Sequence, residues 1–179
     1  MPFTVQDFRS KLKYGGTRNN LFEVVVPFPA VSGGAAQTEF FSFMCKAASL
    51  PGEELGIINV AYFGRTIKVP GDRSFPEWQL RVINDEGFEV RNVFEQWSNA
   101  LNGHFNNLRD PAAKATTGYQ VDATIKQYGK TGDVIKEYDM IGCWPSAVGP
   151  IEVSWEQDNA IEEFDVTMAY QWWTASTTR

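Results

Sequence analysis

Residues 64–86 read GRTIKVPGDRSFPEWQLRVINDE, and this stretch decides the fold. Gly64 and Arg65 join two short β-patterned arms, Pro70 and Gly71 make a rigid loop, and residues 77–84 alternate apolar with polar side chains. In that last run Trp78, Leu80 and Val82 face one side while Gln79 and Arg81 face the other. A period of two is the mark of a half-buried strand. Asn84 or Asp85 then caps a helix, because a short side-chain oxygen can accept the unpaired amide hydrogens of a first turn. No nucleophile, metal cluster or phosphate loop lies in the stretch. Its chemistry is that of shape and contact surface.

Outward from there, the helix is expected over about 86–101. Glu86 and Glu89 lie near its positive end, and Val90, Val93, Phe94, Trp97 and Leu101 form an apolar stripe. Asn102 and Gly103 stop it. On the other side, residues 57–63 and 66–69 form the two arms. The whole of 51–72 is too polar and punctuated for a core, and reads as a projecting hairpin-loop of the kind that is usually functional. Asp72 and Arg73 within it are either a solvated turn or, for Arg73, a forked donor to a carboxylate elsewhere.

Further strands are expected at 21–26, 38–46, 120–128, 134–143, 151–155 and 163–173. The last of these places Phe164, Val166, Met168, Tyr170 and Trp172 on one face. Seven or eight strands and one substantial helix give a mainly β fold, an antiparallel sandwich or barrel in a single domain. Residues 1–20 stand apart, with Arg9, Lys11, Lys13 and Arg18 against Asp7. Thr4 caps a short helix there, with Val5, Phe8 and Leu12 on one face. That face either lies on its own domain or docks on a neighbouring copy.

The composition bounds the function. A hydrophobic share of 43% with 21% charged residues is a folded balance, and 14% aromatic residues suit both cores and interfaces. The net charge of −6 argues against a nucleic-acid clamp, which needs a basic groove. Cys45 and Cys143 are too far apart in sequence for a zinc spacing and read as free thiols of a reducing cytoplasm. Neither a signal peptide nor a run of membrane-spanning length is apparent.

Catalytic candidates fall away on inspection. Gly129, Lys130 and Thr131 mimic the end of a phosphate loop, but Thr124 occupies the place of its first glycine and strands flank both sides. His104 is the sole histidine and has no identifiable partner. The carboxylates mostly alternate with apolar residues, as on a solvated sheet face. No catalytic residue, metal site or cofactor is assigned.

Five blocks in order carry a resemblance: Asn20, Leu21 and Phe22; FMCKAASLPG at 43–52; GRTIKVPGDRSFPEW with VINDE; WPSAVG at 144–149; and FDVTMAYQWW at 164–173. Together they resemble the tail tube proteins of T-even-like contractile-tailed phages over nearly the full length. Residues 27–37, an expanded loop, and 174–179, a polar extension, depart from the pattern. The resemblance implies protomers whose sheets join across subunits in hexameric rings, stacked as a conduit for DNA ejection. Its implied partners are further copies of the chain, a surrounding sheath protein, tape-measure protein and genomic DNA in the lumen, and baseplate and tail terminator proteins. The setting is the virion tail, assembled in the host cytoplasm without membrane anchoring. On that basis Tyr62, Arg65, Lys68, Asp72 and Arg73 are expected at contacts between subunits, and Phe8, Arg9, Lys11 and Leu12 between rings. Asp122, Glu137, Asp139 and Asp165, with Glu152, are candidate lumen-facing acids, unless they serve solubility alone. The inner tube of a contractile bacteriocin or toxin-injection particle is the near alternative. An aromatic-rich carbohydrate-binding sandwich is the alternative of another class.

Overall fold

The computed structural model describes residues 4–12, 15–156 and 158–178. Its first half runs α1 (Val5–Lys11), β1 (Phe22–Val25), α2 (Thr38–Met44), β2 (Cys45–Ala48), β3 (Glu54–Tyr62), β4 (Arg65–Ser74) and β5 (Trp78–Ile83). Then follow α3 (Glu89–Leu101), α4 (Thr116–Tyr119), β6 (Val121–Tyr128), β7 (Val134–Val148), β8 (Glu163–Ala169) and β9 (Trp172–Ala175). The main sheet is antiparallel in the order β1-β6-β7-β8-β5-β2, with β9 also on β7. β3 and β4 pair only with each other.

β7 organises the sheet. β8 and β9 follow one another along it in a single register, from Pro145 opposite Met168 to Tyr138 opposite Ala175. Between them the Gln171 amide donates to the Ile141 carbonyl at 2.9 Å. Beside this junction Gly142 holds φ at 70°, a conformation that side chains with a Cβ resist. The Asp122 carboxylate accepts from its N–H at 2.9 Å. Side chains change face there: Met140 and Cys143, an odd number of residues apart, are both buried. On the partner the buried series Phe164, Val166 and Met168 gives way to buried Ala175. The sheet therefore resets its alternation on both strands while the register on either side is kept.

The core lies between this sheet and α3. Trp78, Leu80 and Val82 meet Phe164, Val166 and Met168 through register pairs such as Leu80 with Val166. α3 covers them with Val90, Val93, Phe94 and Trp97, all buried. Phe28, Phe41 and Phe94 pack edge to face with centroids 5.2–5.6 Å apart, the arrangement that ring quadrupoles favour. The buried indoles are satisfied: Trp97 donates to the Tyr119 carbonyl at 2.9 Å and Trp78 to that of Ser49 at 2.7 Å.

Several expectations need correction. Residues 38–44 are helix, not strand, and only Cys45–Ala48 extends. Aromatic residues favour strands through the packing they find, and here Phe41 finds Phe28 and Phe94 from a helical turn. α3 begins at Glu89 rather than 86; Phe88 takes a left-handed conformation with φ 54°, while Asp85 still accepts from the Glu89 amide at 3.0 Å. Leu101 is only partly buried, and Ala100 takes its place in the stripe. Residues 151–155 form no strand. Trp144 and Pro145 do not end β7, which runs on to Val148. The final strand is split into β8 and β9, so Trp172 is exposed instead of sharing the face of Phe164. Residues 106–118 contain a 3-10 turn at Pro111–Ala113 and the start of α4. The GKTGD segment does make the β6–β7 turn, with Gly129 N–H on the Asp133 carbonyl at 2.7 Å.

Candidate functional site

The ribbon β3–β4 has an exposed residue at nearly every position. Phe63 (φ 44°) and Gly64 (φ 77°) make its turn, one residue earlier than expected, with left-handed values at both positions as two-residue hairpins require. Asp72 and Arg73 belong to β4 and not to a loop. Arg73 donates to Glu53 of its own chain at 2.6 Å.

Register sorts the ribbon into two faces. Tyr62 pairs with Arg65, Val60 with Ile67 and Ile58 with Val69, so these six share one face. Ala61 with Thr66 and Asn59 with Lys68 occupy the other. The expected contact residues Tyr62 and Arg65 thus lie together, while Lys68 lies opposite them. Sequence reading called this stretch polar and missed Ile58, Val60, Ile67 and Val69. Their exposures are 53%, 48%, 53% and 43%, a contiguous apolar patch on a ribbon that its own chain leaves uncovered. The missed signal was the alternation within INV and TIKV, visible once the register is known. Two strands alone are marginal in water, and patches of this kind mark interaction surfaces.

α1 is the second such surface. Thr4 caps it, accepting from the Asp7 amide at 3.2 Å. None of its residues is buried, and Val5 and Phe8 are 77% and 66% exposed. The apolar stripe with Arg9 and Lys11 therefore does not lie on its own domain. Lys13, one of the expected basic residues, falls outside the described residues, as do 1–3 and 14.

The four expected acids are not one cluster. Asp122 turns to the Gly142 amide. Glu137 stands opposite Lys126, which is flanked on its other side by Glu23, and Asp139 accepts from Thr124 at 3.1 Å. Asp165 lies beyond the Gly142 junction in a forked pair with Arg81, at 2.8 and 3.1 Å. The guanidinium hydrogen bond holds the Asp165 carboxyl below its ordinary range. Glu152 is in the loop after β7.

Burial pushes both free thiols, Cys45 and Cys143, up to about 12. His104 follows α3, its backbone amide on Asn99 at 3.1 Å. The exposed rings of Tyr62 and Phe63 meet at 86°, unlike the coplanar platform a sugar ring stacks on. No helix is long and apolar enough to cross a membrane among the described residues.

Residues 17–176 match the family model for phage tail tube proteins. The chain belongs to the phage tail tube family. It is 32% identical to tail tube protein gp19 of Enterobacteria phage T4 over 157 residues, which are 87% of this chain and 90% of that one. With the tail tube protein of Serratia phage KSP90 it shares 27% identity over 93% of its own length and 94% of the relative's. In fold it is similar to a chain of the sheath–tube complex of the PVC extracellular contractile injection system (TM-score 0.58, 14% identity, 98% and 99% covered). It is also similar to the anti-feeding prophage tube-terminating cap (TM-score 0.61, 18% identity, 90% and 91% covered). As a phage tail tube protein it is a structural component of the virion tail.

Proposed function

We propose that this tail tube protein forms six-membered rings that stack into the hollow core of a contractile tail. Genome and tape-measure protein pass along its lumen, a sheath surrounds it, and baseplate and terminator proteins meet its two ends. The observation that carries this reading is the β3–β4 ribbon, which projects an apolar face formed by Ile58, Val60, Ile67 and Val69. A neighbouring copy covers that face. Strands β1 and β2, which end the main sheet after only four residues each, are the edges at which neighbouring sheets join into one barrel. The role is structural, and no reaction is assigned to the chain.

Of the expected acids, Glu137 and Asp139 with Glu23 share the outward face of β1, β6 and β7 that we assign to the lumen. An acidic wall forms few phosphate contacts and does not hold the duplex. Its repulsion reaches about 8 Å at physiological salt, so it discourages sticking without centring the DNA. A phage tail is favoured over a bacteriocin particle because the relatives at 27–32% identity are phage proteins, whereas the injection-system structures match in fold at 14–18%.

Negative-stain microscopy of purified protein tests the proposal: rings or hollow rods are expected. Replacing residues 54–74 by a short Gly-Ser linker is expected to leave a folded monomer that forms neither. Normal tubes from that variant refute the role given to the ribbon.

A further inference from the structure

Two surfaces without a partner lie at opposite ends of β7. The segment following α1 is placed at the β6–β7 turn, where Gly16, Thr17 and Arg18 share a cleft with Tyr128, Lys130 and Thr131. At the other end, residues 149–162 leave β7 without forming any strand or helix among the described residues. Connections of that length are uncommon unless they serve a function. This one exposes Val153, Trp155 and Ile161, at 78%, 104% and 71%. A second cleft opens between it and β8, lined by Glu152, Val153, Ile161 and Glu162.

The charges of the two surfaces are complementary. Within the second cleft Arg81 is engaged by Asp165, and the neighbouring Lys46 by Glu163. Glu152 and Glu162 set the sign the cleft presents, and Glu156, exposed in the same connection, adds a third acid to the segment. α1 offers the counterpart. Val5, Phe8 and Leu12 share one face of its helical turn, with Arg9 and Lys11 on the two flanks.

Reach excludes docking within one chain. β7 is 15 residues long. Even if Gly142 turned it through a right angle, its ends would be about 33 Å apart at the usual strand rise. From Gly15, α1 and its connection span about 23 Å at most. The cleft that α1 enters therefore belongs to another copy.

We propose that α1 of one copy docks in the 149–162 cleft of a second, with Val5, Phe8 and Leu12 on Val153, Trp155 and Ile161, and Arg9 and Lys11 against Glu152 and Glu156. The contact joins unlike ends, so it is heterologous and repeats from copy to copy, either closing into a ring or running on as an open stack. The stack is the form taken from the stacked-ring reading above, on which the inference rests.

Paired cysteines test it. The native thiols are buried, so a chain carrying Phe8→Cys and Trp155→Cys has two reactive sites. Assembled and mildly oxidised, this chain is expected to give a ladder of covalent multimers beyond the dimer, and each single variant none. Charge provides the second arm. Arg9→Glu with Lys11→Glu is expected to cut sedimentable tubes at least tenfold, and adding Glu152→Lys with Glu156→Lys to restore them. Tubes without a ladder, dimers from Phe8→Cys alone, an intramolecular link, or no recovery in the charge swap each overturn the docking. An unmodified chain that never forms tubes refutes the stacked-ring reading itself, a separate and distinguishable failure.

Discussion

Changing Val60→Ser and Ile67→Ser together removes two directly paired aliphatics from the exposed face of the ribbon. Both are already about half exposed in the protomer, 48% and 53%, so each retains roughly half of its burial free energy for an assembly contact. Full burial of such a side chain contributes about 1.5–3 kcal/mol, so half of it is about 1 kcal/mol, and the pair about 2 kcal/mol per subunit. A difference of about 1.4 kcal/mol is tenfold in an association constant, so each contact is expected to weaken roughly 30-fold. The assay is the critical concentration for assembly by sedimentation, read beside the thermal melt of the unassembled protein. The critical concentration is expected to rise by more than tenfold while the melt falls by only about 4–8 °C, since the half of each side chain already covered contributes about 2 kcal/mol for the pair within the protomer. Asn59→Ser on the opposite face is the control and is expected to change neither. A larger fall in the melting temperature would show that the face packs within its own chain. An unchanged critical concentration would show that nothing covers it. Either result refutes the reasoning.

Two further expectations concern the sheet. Gly142→Ala adds a Cβ 2.9 Å from the Gln171 side chain at φ 70°, whereas Gly132→Ala meets nothing within 4 Å at φ 89°. Backbone strain alone costs about 1–2 kcal/mol, so Gly132→Ala is expected to lower the melting temperature by about 3–6 °C and Gly142→Ala by more; equal effects would remove the Gly142 contact from the account. Arg81→Ala is expected to raise the Asp165 carboxyl to its ordinary range, followed by NMR titration. A carboxyl lowered in the folded state stabilises it above the unfolded pKa, and that contribution is lost as the pH falls through the folded value. The acid limb of the stability profile should therefore flatten slightly in the variant, and a Asp165 titration unmoved by the substitution rejects the pairing.

β5 and α3 were legible because Trp78, Leu80 and Val82 keep the strand period and Val90, Val93, Phe94 and Trp97 the helical one, and both faces are buried. Residues 38–44 were not, since three Phe in seven residues fit a strand until the ring cluster that receives Phe41 is known. The split between β8 and β9 and the continuation of β7 past Trp144 flank Gly142, whose φ cannot be read from its neighbours. The projection of the ribbon was legible from its punctuation, but its apolar face was not, because a face exists only once the register sets Val60 against Ile67. The acids on alternate strand positions all look alike in sequence. It took the sheet order to separate Asp165, held by Arg81, from Glu137 and Asp139.

The register that β7 shares with β8 and β9 has a mechanical meaning. The buried side chains change face at Gly142, yet the pairs on either side keep one register from Pro145 to Tyr138. A push entering the protomer at the β6–β7 turn travels along one covalent strand to residue 148. Sliding that strand past its neighbours would shear a row of backbone hydrogen bonds at once, instead of peeling them singly. Side-chain packing can yield under such a thrust by rotamer changes, whereas a shared backbone ladder resists it collectively. The change of face at Gly142 therefore leaves the register of β7 without a hinge, and the strand is built in the manner of a strut.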